Sequence, residues 1–150
     1  MLGLRLVKLI EHHSDELANS LVDRLRTSSR TTSFQKIPVE ELKDSATDIY
    51  QHLNDWLMNK TETDLEVHFV KLGMRRHAQG IELSDFIWAI INTKENLWRF
   101  LQAEAVVDRV LELYGELELM QMLDQFFDRG LYYATVGYER ARKERIGKAA

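Results

Sequence analysis

The chain has 150 residues with one proline, seven glycines, no cysteine and a net charge of −4. That length is one domain, residues 1–150, with room for a real core. Its acidic balance argues against general nucleic-acid binding, and the missing cysteine excludes disulfides, thiolate metal sites and cysteine nucleophiles. Arg5, Lys8 and Glu11 interrupt the apolar residues of the N-terminus, which therefore lacks both a signal-peptide core and a membrane span. The expectation is a cytoplasmic protein that meets neither nucleic acid nor membrane.

The near absence of proline and of alternating Val/Ile/Thr runs predicts an all-α protein. A first helix runs from about Leu4 to Arg26, with Leu6, Ile10, His13, Leu17, Leu21 and Leu25 on one face. The Ser/Thr cluster from Thr27 to Ser33 ends it, because those hydroxyls compete for backbone hydrogen bonds. Phe34 and Ile37 tuck the connection onto the core. Pro38 suits the first turn of a second helix that buries Val39, Leu42, Ala46, Ile49, Leu53 and Trp56, closing at Asn59 and Lys60.

Thr61 and Asp64 are spaced as a capping pair for a third helix, which reaches about Gln79. Leu65, Phe69 and Leu72 form its main stripe, widened by Val67, Val70 and Met74. Gly80 stands where a left-handed residue would end it, with Ile81 as the accompanying apolar contact. Ser84 is the expected N-cap of a fourth helix, Asp85 to about Ala103, that turns Phe86, Ile87, Ile90, Ile91, Leu97, Trp98 and Leu101 inward. Val106 and Val107 open the final segment, and Gly115 marks a bend or break before the long closing helix from Glu116 to about Arg145.

Catalytic and metal chemistry find little support. The five histidines, at 12, 13, 52, 68 and 77, include one pair at helical spacing with a carboxylate, His12 and Glu16, whose plainer reading is a solvated surface pair. A di-iron site needs Glu-x-x-His on two helices, and Ile49, Leu65 and Met74 occupy those places before His52, His68 and His77. His13 lies on an apolar stripe, as a hydrogen-bonded core histidine does. The carboxylates Glu112, Glu116, Glu118 and Asp124 follow polar helix faces, with no positioned base or nucleophile beside them. Arg75, Arg76 and His77 are read as cations complementing the negative end of a helix. We expect no enzyme, no catalytic residue and no metal ligand.

The closing helix is more informative. Leu123, Phe127, Gly130, Ala134, Gly137 and Ala141 repeat at steps of three and four, so they share one seam, half of it nearly bare backbone. Glycines inside a helix cost stability, and close approach of another backbone is a reason to keep them. The seam is either a contact within the subunit, against the first or the fourth helix, or a dimer contact. A second apolar row, Leu119, Met122, Phe126, Tyr133 and Val136, favours a homodimer, because a two-fold contact is the commonest cover for such a face.

Three stretches together, LIEHHSDELANSLVDRL (Leu9 to Leu25), LGMRRHAQGIELSDF (Leu72 to Phe86) and the closing helix, resemble the N-terminal sensor domain of the RsbR-type stressosome co-antagonists, and similar domains precede sensor histidine kinases. The resemblance implies a globin-like bundle of about five to six helices without haem, dimeric, with a long C-terminal helix leading to an output module. It implies a bacterial stress-response sensor with no cofactor, whose partner is a downstream signalling protein or domain. Ala150 falls shortly after that helix, as in an excised domain or a stand-alone relative. In haem-binding globin sensors a histidine precedes a glycine-containing turn, so His77 ahead of Gly80 is the alternative, a haem ligand, with Tyr50 and His52 as distal candidates. A helical protein–protein adaptor is the other alternative.

Overall fold

The structure, a computed structural model, describes residues 3–104 and 110–149. Six α-helices carry most of them: α1 Leu4–His12, α2 Ser14–Thr27, α3 Val39–Gln51, α4 Glu62–Ala78, α5 Leu83–Glu104 and α6 Val110–Ala149. A 3₁₀ turn, Thr32–Lys36, follows α2, and a π-helical turn, Asp55–Asn59, follows α3. The fold is all-α, and among the described residues no strand occurs and no helix is long and apolar enough to cross a membrane.

Local chemistry explains most boundaries. Thr61 and Asp64 form a reciprocal capping box at the start of α4, the Asp64 N–H donating to the Thr61 hydroxyl at 3.2 Å and the Thr61 N–H to the Asp64 carboxylate at 2.8 Å. At the other end Gly80 has φ +75°, Gly80 N–H donates to the His77 carbonyl, and Ile81 N–H donates to that of Arg76. These paired bonds are a Schellman stop, and Ile81 is fully buried beneath it.

Other expectations need correction. The first helix is two, broken at His13, whose N–H is shared between the Leu9 and Ile10 carbonyls while its ring nitrogen faces the Leu9 carbonyl at 2.8 Å. The second helix stops at Gln51, and Leu53 and Trp56 reach the core from the segment after it. Val39 and Val67 are exposed. Ser84 lies exposed inside the first turn of α5, and the capping falls to Ser33 from the 3₁₀ turn. Its hydroxyl accepts the Glu82 N–H at 3.3 Å and donates to the Asp85 carboxylate at 2.7 Å. No break occurs at Gly115: α6 is continuous over 40 residues. At 1.5 Å per residue that is about 60 Å. Val106 and Val107 lie outside the described residues.

The most extensive helix pairing is α4 along α6, with α2 packed on α3 and α5 and α5 on α6. A buried polar knot joins three of these helices. The Asn96 amide of α5 donates to the Leu17 carbonyl of α2 at 2.9 Å, and the Tyr50 hydroxyl of α3 donates to the Thr93 carbonyl at 2.8 Å. Burial pushes the Tyr50 phenol well above its ordinary pKa, so it remains a donor.

Candidate functional site

The α4–α6 contact is built from absent side chains. A Cβ placed on Gly73 would collide with the Ala134 carbonyl oxygen, and one on Gly137 with the Val70 carbonyl oxygen, so the two backbones touch directly. Gly130 differs: its Cβ would lie 2.8 Å from the far end of the Phe69 ring. Leu123, Phe127, Gly130, Ala134 and Gly137 are all buried and Ala141 half-buried, and at Gly130, Ala134 and Gly137 the cover is α4 of the same chain, the third helix of the sequence and not the first or fourth. In the second row Leu119 and Phe126 are buried, Phe126 against the rings of Trp56 and Phe69, and Met122, Tyr133 and Val136 are half-buried. The apolar residues that α6 leaves open are others: Val110, Leu113, Tyr114 and Leu117 near its start, each at least 47% exposed, and farther along Tyr132 and Ile146.

Beside this contact lies a cavity of about 180 Å³, open to solvent on one side and lined by α2, the 3₁₀ turn, α3, α4, α5 and α6. Leu42, Ile49, Phe69, Phe86, Ile90 and Phe127 supply apolar wall. Lys71, Arg75 and Arg76 also line it, and among the described residues no acidic one does. Arg76 is only 3% exposed. Its guanidinium donates to Gln79 at 2.8 Å, to Ser45 at 3.3 Å and to Glu41 at 3.5 Å. Burial lowers its pKa, opposed by Glu41, yet an arginine stays charged. Burial likewise lowers the pKa of His68 on the same wall, against the raising effect of Asp48, which leaves that ring neutral at pH 7.

Arg76 is thus an interior charge, whereas the sequence suggested a helix-end cation. The signal was present: Leu65, Phe69, Leu72 and Arg76 continue one helical stripe. Asn96 falls on the apolar stripe of α5 in the same way. Gly73, the α4 half of the backbone contact, carried no such signal, because its partner is distant in sequence.

The histidines scatter. His77 stacks edge-on against Tyr138, with ring centroids 5.0 Å apart, and does not line the cavity. Tyr50 is engaged in the polar knot, and His52 is exposed near Asp48 at 3.7 Å. None of the three lines this cavity, whose volume of about 180 Å³ is nearer that which takes up benzene than that of a porphyrin. Among the described residues no group of three or more His, Asp or Glu is placed to hold a metal ion. His13 is half-buried against Phe100, with ring centroids 5.2 Å apart.

Compared with known protein families, the chain matches the model of the RsbT co-antagonist protein rsbRD N-terminal domain over residues 15–150. No curated protein and no solved structure matches it.

Proposed function

This chain belongs to the RsbT co-antagonist protein rsbRD N-terminal domain family, and from that membership we propose that it is a non-enzymatic sensor domain relaying an input through its C-terminal helix. The family is one of signalling co-antagonists. The observation that carries the relay is the direct backbone approach of α4 and α6 at Gly73 and Gly137, beside a cavity. Where the two backbones touch there are no side chains to repack, so at those points a change in the cavity wall is met by moving a helix as a body. Phe69 belongs to that wall and also presses on Gly130 of α6. Arg142 to Lys148 of α6 are exposed, which supports a reading in which an output module or partner senses the position of the helix end.

In this reading the protein is a cytoplasmic homodimer that pairs through the open stripe Leu113, Tyr114 and Leu117, and it uses no cofactor. Light scattering tests the pairing: the wild type runs at twice the chain mass, and Leu117→Glu runs as a monomer with unchanged helicity. A wild-type monomer removes the paired-helix relay and favours the adaptor reading, in which the same stripe receives a partner's helix. Reconstitution with haemin tests the cofactor: no sharp Soret band develops, and one that disappears in His77→Ala would restore the haem reading.

A further inference from the structure

We propose that the cavity between α3, α4 and α5 binds a small monocarboxylate with an apolar body of about six to eight carbons, its carboxylate held by Lys71 and Arg75 at the rim. The proposal rests on the sensor reading only for what binding accomplishes. Volume sets the size: about 180 Å³ slightly exceeds the roughly 150 Å³ apolar cavity that takes up one benzene.

Charge sets the chemistry. In a chain of net charge −4, three cations and, among the described residues, no acid line this cavity, with Glu41 outside its wall 3.5 Å from Arg76 and 3.9 Å from Arg75. A cationic ligand is repelled. A wholly neutral one leaves the cations unused. Lys71 makes no ion pair among the described residues, and Arg75 has only a 3.9 Å approach to Glu41. Both side chains are therefore available to an incoming anion. Arg76 stands deeper, and its bonds to Glu41, Gln79 and Ser45 occupy three of the five guanidinium donors. The deep wall of Ile49, Phe69 and Ile90 offers an anion no partner, so the ligand carries its charge at one end.

Calorimetric titration of the purified chain with octanoate, 1-octanol and octylamine tests this. Octanoate binds saturably at one site per chain, 1-octanol about tenfold more weakly, as losing a charge-assisted bond implies, and octylamine not detectably. Lys71→Gln with Arg75→Gln weakens octanoate about tenfold and leaves 1-octanol unchanged, with the melting temperature held because both positions are exposed. Ala46→Leu, which fills the cavity, abolishes binding in a protein that circular dichroism shows to be folded; if it fails to fold, Ile90→Phe replaces it. Equal affinity for acid and alcohol, binding that survives cavity filling, or no saturation by octanoate overturns the site. Hydrogen exchange across α6 separates this from the relay: binding without altered exchange keeps the site and removes the relay, whereas no binding removes the site and leaves a relay driven by a partner.

Discussion

At the scale of single residues, the buried charge on α4 yields two expectations. Glu41 and Arg76 form an unequal pair, since the Glu41 side chain is 29% exposed and that of Arg76 only 3%. Glu41→Leu strands a guanidinium in the interior and costs about 3 kcal/mol. Arg76→Leu leaves a carboxylate that water can reach and costs about 1 kcal/mol. Urea denaturation of both variants reads the order, and the reverse order would show that the carboxylate is the more deeply held partner. His68 supplies the second. Its folded pKa is depressed by burial, with Asp48 opposing and Arg75 and Lys60 adding to the effect. The unfolded chain then binds more protons as pH falls below about 6.5, so stability is full above that value and declines beneath it. His68→Gln flattens that decline in thermal melts. Identical slopes in the two proteins would sever the link to His68.

For the helices as elements, the glycines of α6 separate by what they face. Alanine is intrinsically better than glycine in a helix by about 1 kcal/mol. At Gly137 that gain is outweighed, because a Cβ meets the Val70 carbonyl and α4 must move, at a cost of about 2 kcal/mol net. At Gly130 the obstacle is the tip of the Phe69 ring, which borders a cavity and can tilt into it, so Gly130→Ala changes stability by less than about 1 kcal/mol. Chemical denaturation of the two variants distinguishes them; equal losses would mean that the ring is as immovable as the backbone. The seam was legible as a seam from its steps of three and four. Its partner was not. Periodicity assigns a residue to a face of its own helix and is silent about which helix covers that face.

Across the whole molecule, α4 and α6 form the most extensive helix pairing. Residues 119–138 of α6 and 65–78 of α4 should therefore share the slowest amide exchange, while 142–148, all exposed, exchange rapidly. Independent exchange of the two helices would show that their contact is not the cooperative unit.

The sequence by itself determined the helical class, the long closing helix, the capping box at Thr61, the Gly80 stop and the family. Each of these is written in residues close together along the chain, where propensity, capping and periodicity act. The break at His13, the capping of α5 by Ser33, the burial of Arg76 and the cover over the glycine seam were decided by tertiary structure. So was the cavity, which no single stripe contains: it exists only because five helices converge without filling the space between them.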